Sequence, residues 1–359
     1  MAQIAVIPGD GIGPEVMEQA IAVLERVNAL FQTDLSFSYA LAGGAAWEKY
    51  RDHLPEETIE LCRSCDAILF GSVGGPVMEQ SHIKWKNVER NALLGLRKEF
   101  SLYANIRPVR LFPTLAYSSV LRKDIAEKGI DLVVVRELTG GIYFGDPKGR
   151  SGRGHKESAY DTMRYSRSEI ERIARQAFKI AEKRRKKVTS ADKANVLETM
   201  VFWREVVDSI SAEFPEIEYE HMYVDNAAMQ LLKNPSQFDV ILCGNLFGDI
   251  LSDESAALAG SLGMLPSASL GRGGFGMYEP GGGSAPDIAG TGTANPVAQI
   301  LSAAMMLRYS CARPDAAEAV ERAVEVTMEQ GFRTPDIWND GCITVNTKEM
   351  GARITGNLE

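Results

Sequence analysis

Short apolar runs alternate with longer amphipathic segments along most of this chain, and that alternation leaves few architectures open. QIAVIP, LSFSYAL, AILFGSV, DLVVVREL and FDVILCGN read as strands. Between them stand segments of helical period: about Pro14 to Phe31, around Pro55–Ser64, and SEIERIARQAFKIAEKRR. In the last of these Ile170, Ile173, Ala174, Ala177, Phe178 and Ala181 share one face at three- and four-residue spacing. Such alternation defines an α/β protein with a large sheet. A chain of 359 residues can form two domains. No repeat or low-complexity linker separates them, so they are expected to share one continuous sheet. YFGDPKGRSGRGHKESAY, rich in glycine and charge and without an apolar period, reads as a loop or arm.

Charge and cysteine content narrow the function classes. The net charge is −9, so no basic surface for nucleic acid is expected. The basic run Lys183–Lys187 closes a helix, where positive charge suits the dipole. The opening residues Met1 to Pro8 read as a first strand, not a signal peptide, and no stretch approaches the roughly 18 apolar residues of a membrane span. The five cysteines are scattered, as in a reduced cytoplasmic protein. Cys62 and Cys65 form a C-x-x-C, but no second pair accompanies them and histidines number only four, so packing is the expected role.

Two glycine patterns invite a dinucleotide-binding reading and fail it. PGDGIGPEV follows the first strand, but Pro14 stands where a third fingerprint glycine would fall. Pro14 suits a first helical turn instead, with Glu15 beside the positive end of the dipole. Gly271, Gly273 and Gly276 match G-x-G-x-x-G formally, yet run into MYEPGGG with no helix to hold a pyrophosphate.

The residues that carry chemistry are arginines and carboxylates. Arg97, Arg107 and Arg136 each follow or end an apolar segment. Any one of them could answer a buried acid, but as a set on an acidic protein they fit a dicarboxylate, which guanidinium binds bidentately. In GNLFGDILSDES, Asp249 and Asp253 are four apart, so a helix turns both carboxylates the same way. The bland reading is helix capping and surface charge. The chemical one is a divalent cation, and oxygen-only ligands favour Mg²⁺ or Mn²⁺, with Asp225 a candidate third carboxylate. Lys193, just past a strand, is either a surface lysine or a base, and Tyr143 either a half-buried aromatic or its acid counterpart. Together these groups are what oxidative decarboxylation of a hydroxy diacid requires.

Ordered blocks along essentially the whole chain resemble the β-hydroxyacid oxidative decarboxylases, the isocitrate/isopropylmalate dehydrogenase family. They include IPGDGIGPEV, LFGSVGGP, ALLGLRK, ANIRPV, VRELTGGIYFG, TSADKANVLE, MYVDNAAMQL, NLFGDILSDE, GMLPSASLG, GGSAPDIAG and TANPVAQILS. The resemblance implies a fold that is not Rossmann-like: two domains sharing a large mixed sheet, a discontinuous first domain of residues 1–102 and 261–359 that binds cofactor, and a second of residues 103–260 that dimerises. An arm near 145–165 would embrace the other subunit. It also implies roles. Arg97, Arg107 and Arg136 would hold the substrate carboxylates, and Asp249 and Asp253 the metal, with Asp225 from a second subunit. Lys193 from that subunit would assist deprotonation of the hydroxyl, with Asn195 and Val196 near the nicotinamide, and Tyr143 would protonate the carbon that loses CO₂. Glu279, Gly283, Ser284, Ala285, Pro286, Asp287, Ile288 and Asn295 would bind the cofactor. Asp287 can accept from both ribose hydroxyls and would repel a 2′-phosphate, and Ile288 adds no positive charge, so NAD is expected. Many relatives carry His where this chain has Gly282, a mark of the long-arm subtype.

Substrate choice rests on the segment before Arg97. Isocitrate-specific members place carboxylate-binding residues there; Leu93 and Leu94 offer an apolar wall, and Glu89 resembles the glutamate near the substrate side chain and nicotinamide. A branched alkyl malate, 3-isopropylmalate of leucine biosynthesis, is therefore expected, ahead of homoisocitrate, tartrate or malate. A non-catalytic subunit of the same fold would have lost some of Lys193, Tyr143 and the aspartates. A phosphotransferase would need a G-x-x-x-x-G-K-[ST] loop, and none occurs.

Overall fold

The computed structural model describes residues 2–359. The chain passes through β1 (Ala2–Gly9), α1 (Gly13–Phe31), β2 (Leu35–Tyr39), α2 (Gly43–Tyr50), α3 (Glu56–Arg63), β3 (Ala67–Ser72), α4 (Val88–Asn91) and α5 (Leu93–Glu99). Next come β4 (Ala104–Leu111), α6 (Lys123–Ala126), β5 (Ile130–Glu137), β6 (Gly149–Ser151), β7 (Ser158–Tyr160), α7 (Arg167–Glu182), β8 (Lys187–Asp192), α8 (Glu198–Ser211), β9 (Glu218–Tyr223), α9 (Val224–Lys233), β10 (Val240–Cys243) and α10 (Asn245–Leu258). It closes with β11 (Pro266–Leu270), β12 (Gly276–Pro280), α11 (Val297–Tyr309), α12 (Pro314–Glu329) and α13 (Thr347–Gly356). Two compact units result. The first comprises Met1–Leu102, Phe112–Ser118 and Ala259–Glu359; the second comprises Tyr103–Leu111 and Ser119–Leu258. The return of Phe112–Ser118 to the first unit has no compositional signal in the sequence.

In the first unit the strands run β2-β1-β3-β12-β11, parallel as far as β12 and antiparallel between β12 and β11. Helix α11 is apolar on every side, buried from Val297 to Leu307, and packs against β11, β12, α1 and α12. In the second unit the order is β4-β5-β10-β8-β9, with β4 antiparallel to β5 and the rest parallel. There α7 packs on β5, β10 and α8, and its entry is fixed by Ser166, whose side chain caps the Glu169 backbone N–H while Glu169 caps Ser166 in return. The fold is α/β, with strands of mixed direction in each unit.

The structure accounts for both glycine patterns. Gly9 and Gly11 have φ of +74° and +60°, and a Cβ on either would collide with the carbonyl oxygen of Ser72 or Ser284. They let the β1–α1 turn sit under the loop carrying Ser284, whose carbonyl accepts from Ile12 N–H at 2.8 Å. Asp10, between them, is buried and accepts from the N–H groups of Gly44 (2.8 Å), Ala45 (2.8 Å) and Gly74 (3.2 Å). The formal fingerprint at Gly271–Gly276 is the turn of the antiparallel β11–β12 hairpin, so no helix follows it.

The segment read as a loop or arm holds a small antiparallel hairpin, β6 with β7, every residue of which is exposed. Strands of this length are too short to show an alternating pattern. Cys62 and Cys65 lie in the apolar core, and burial pushes the Cys62 thiol up to about 12, which keeps it protonated and a poor metal ligand. No helix of the described residues is long and apolar enough to cross a membrane.

Candidate active site

In the second unit, strand register and helix spacing bring two arginines to two aspartates. Asn105 on β4 stands opposite Arg136 on β5, and Arg107, two residues along β4, shares the face of Asn105. Helix α10 begins just after β10, whose Cys243 pairs with Arg136. Its first turn therefore lies against that guanidinium. Arg136 Nε and Nη2 donate to Asn245 Oδ1 (3.1 and 2.8 Å), and its Nη1 donates to Asp249. A turn later Arg107 Nη1 donates to Ser252 Oγ (2.8 Å) and Asp253 Oδ1 (2.6 Å), while its Nε holds Asn105 Oδ1 (2.9 Å). Gly248 makes this approach possible, because a Cβ there would overlap the aliphatic stem of Arg136. The Arg136 side chain is 5% exposed, so its charge requires these partners.

Tyr143, in the short turn Gly141–Tyr143, donates its hydroxyl to Asp249 Oδ2 at 2.8 Å. Burial and that carboxylate push its pKa up from the ordinary phenol value, so the proton stays on the oxygen at neutral pH. The arrangement is a protonated acid held beside two guanidiniums and two carboxylates. Asp249 and Asp253 are hard-oxygen donors on one face of α10, which suits Mg²⁺ or Mn²⁺. No group of three potential metal ligands forms among the described residues of a single chain. Asp225, at the start of α9, instead accepts from Lys193 Nζ at 2.8 Å, and the ammonium holds its carboxyl below the usual range. Lys193 is the first residue past β8, and Asn195 is exposed in the turn that follows.

In the first unit Arg97, on α5, donates to Glu279 Oε1 at 2.5 Å, with side-chain exposures of 10% and 8%. Its Nε has no hydrogen-bond partner. Glu279, expected at the cofactor, is thus committed to an ion pair here. Leu93 and Leu94 precede Arg97 by four and three residues on α5, which places them over the same turn of the helix. Both are half-buried; Leu93 also packs against the apolar core, and Glu89 is exposed on α4. In the expected cofactor loop Ser284 is buried, Ala285 adopts the left-handed conformation (φ 38°), and Asp287 and Ile288 stand exposed in the turn Pro286–Ile288. A Cβ on Gly283 would meet nothing within 4 Å, so the chain there faces open space. Asn295 is nine-tenths buried; its amide donates to Asp336 Oδ2 (3.0 Å) and its Oδ1 accepts from Val297 N–H (3.0 Å) at the start of α11.

All three arginines therefore answer an acid, which sequence reasoning had allowed for any one of them. Asn245 and Ser252, which complete the guanidinium contacts, were not anticipated. Their signal was available, since both lie within two turns of the aspartates on a helix that starts at a strand end.

A family model described as isocitrate/isopropylmalate dehydrogenase matches residues 3–354. The chain belongs to that family of oxidoreductases. It is 57% identical over 354 residues to 3-isopropylmalate dehydrogenase of Yersinia pestis, covering 97% of this chain and 95% of the relative. Its identity to 3-isopropylmalate dehydrogenase of Desulfotalea psychrophila is 57% over 364 residues, covering 100% of both. Among solved structures, isocitrate dehydrogenase from Methylococcus capsulatus superposes with a TM-score of 0.86 at 36% identity, over 100% of this chain and 99% of that one.

Proposed function

We propose that this chain is a cytoplasmic enzyme of leucine biosynthesis that oxidises and decarboxylates (2R,3S)-3-isopropylmalate to 4-methyl-2-oxopentanoate and CO₂. NAD and Mg²⁺ or Mn²⁺ are its cofactors. The observation that carries the substrate reading is the 57% identity, over nearly the full length, to relatives of that name. The half-buried Leu93 and Leu94 beside Arg97 are its physical counterpart.

When bound, NAD supplies a hydride acceptor and the divalent cation a positive charge opposite the oxygen that becomes a ketone. Asp249 and Asp253 would hold the cation, joined by Asp225, and the loop Gly283–Ile288 with Asn195, Glu279 and Asn295 would bind the nucleotide. The protein's own groups do the rest. Arg97, Arg107 and Arg136 orient the two malate carboxylates, exchanging their present acidic partners for substrate. Lys193 assists removal of the hydroxyl proton. Tyr143, kept protonated by its surroundings, delivers a proton to the carbon from which CO₂ departs. Asp225 and Lys193 come from a second copy of the chain, so the homodimer is the active unit. The exposed β6–β7 hairpin supports this, since an isolated two-stranded ribbon is marginally stable without a surface to pack on.

The deciding assay follows reduced nucleotide formed with 3-isopropylmalate and NAD, with and without Mg²⁺ and EDTA. Turnover that needs both substrate and metal is expected; isocitrate used as well as 3-isopropylmalate would overturn the assignment. Cofactor choice is tested separately. Replacing Asp287 and Ile288 by Lys and Tyr adds positive charge and a hydroxyl where a 2′-phosphate would sit, and should move the ratio of kcat/KM values toward NADP by about 10- to 100-fold. An unmodified enzyme that already prefers NADP would contradict the role given to Asp287.

A further inference from the structure

Lys193 and Asp225 stand on the ends of neighbouring strands. β8 and β9 are parallel and finish level, with Asp192 paired opposite Tyr223. The residue after β8 is Lys193, and Asp225 is the second residue after β9. Their 2.8 Å contact thus depends on both strand ends holding position. Asp192 is wholly buried, and its carboxylate accepts from Arg204 Nε (2.6 Å) and Nη2 (2.9 Å) and from the backbone N–H of Ala194 (2.9 Å). The last of these bonds closes the turn around Lys193. Arg204, reaching over from α8, also lies 4.9 Å from the centre of the Tyr223 ring. One guanidinium therefore grips both strand ends. His221, whose Nδ1 is 3.6 Å from Asp192 Oδ2, is the other ionisable group facing this carboxylate.

We propose that Asp192 and Arg204 are positioning residues for the reaction: their ion pair, buried on the Asp192 side, fixes Lys193 and Asp225 in the geometry that proton removal requires. The inference rests on the reading of Lys193 as the group that assists removal of the hydroxyl proton. An ion pair that buries one carboxylate adds little net stability over apolar packing, so fixed geometry is the larger part of what it contributes. Neither residue touches substrate; both act through the turn they hold.

Asp192→Asn keeps the shape and loses the charge, and Arg204→Lys keeps a charge and loses the two-pronged grip. In the full-length protein, Asp192→Asn is expected to lower kcat about 10- to 100-fold, with KM for 3-isopropylmalate and NAD within about twofold of wild type. Arg204→Lys should fall between the two, and it decides the matter if Asp192→Asn does not fold. A merely structural role would lower the melting temperature and leave kcat per folded molecule unchanged, and that result overturns the proposal. Lys193→Ala is measured alongside. If it turns over like wild type, the reading of Lys193 fails and the inference with it. If it is inactive while Asp192→Asn and Arg204→Lys keep wild-type kcat, the positioning role alone fails.

Discussion

Asp249→Asn is expected to lower kcat for 3-isopropylmalate about a thousandfold while leaving the protein folded. The carboxylate is one of two hard-oxygen groups that α10 presents on one face, and on the proposed reading a cation held there would be worth several kcal/mol at the developing charge; each factor of ten is about 1.4 kcal/mol. It is also the acceptor for the Tyr143 hydroxyl and for Arg136. The amide oxygen can still accept from Arg136, and the Tyr143 hydroxyl can accept from the amide NH₂ instead of donating, so both keep their places and what is removed is the negative charge. Arg136 retains Asn245 Oδ1 at 2.8 Å, which limits the cost to folding to about 1–3 kcal/mol, less than the 5–15 kcal/mol typical of a domain. The measurements are kcat against Mg²⁺ and Mn²⁺ concentration and the melting temperature of both proteins. Raised metal concentration should recover part of the lost rate. Wild-type turnover in EDTA-treated, metal-free buffer would remove the basis of the prediction, and so would an Asp249→Asn variant with undiminished kcat.

The part of the site that a reader of the sequence could reach was the part set by local spacing. Asp249 and Asp253 lie four apart, and a helix over Asn245–Leu258 turns both the same way. Lys193 follows a strand of six residues, so its place at a strand end was legible too. Partner choice was not, because it depends on strand register. Nothing local says that Asn105 will stand opposite Arg136, or that Cys243 will pair with Arg136 and so bring Asn245 under its guanidinium. The same holds for Asp192, a residue in plain sight beside Lys193 whose meaning comes from Arg204, a turn and a half into the next helix. Glu279 shows the limit from the other side. Family resemblance placed it with the cofactor, whereas its carboxylate pairs with Arg97, as a buried charge requires an opposite charge beside it.

The fold shows a similar division. Strands such as Ile130–Glu137, buried along nearly their whole length, announce themselves as apolar runs, and α7 by its one-sided period. The β6–β7 hairpin did not, because three-residue strands with both faces exposed carry no periodicity for a pattern to detect. Nor did the return of Phe112–Ser118 to the first unit, which is decided by contacts such as Tyr117 donating to the Ile337 carbonyl at 2.5 Å, distant in sequence.

Wild-type enzyme is expected to use 3-isopropylmalate at least about 100-fold better than isocitrate, and Leu94→Ala to cut its advantage over malate by about tenfold or more. On the proposed reading the arginines bear on the malate core that all three acids share, so they would not discriminate among them. Discrimination falls to what meets the third substituent. Leu93 and Leu94 both stand over the turn of α5 that carries Arg97, but they are not equivalent: Leu93 packs against the apolar core, so shortening it would damage the fold as well as the site. Leu94 is half-buried without that duty and is the cleaner probe. Burying an isopropyl group against it contributes about 1–3 kcal/mol, at roughly 0.8 kcal/mol per methylene-sized group. Isocitrate would set a carboxylate in the same place, and a charge desolvated there without a partner costs more than the alkyl group gains. Removing most of the Leu94 side chain withdraws the favourable contact from 3-isopropylmalate and leaves malate, which never reached it, almost unaffected. The decisive numbers are kcat/KM for the three acids on wild type and on Leu94→Ala. Isocitrate used as well as 3-isopropylmalate by the wild type would refute the apolar-wall argument. An unchanged ratio of 3-isopropylmalate to malate in Leu94→Ala would move the specificity determinant away from α5.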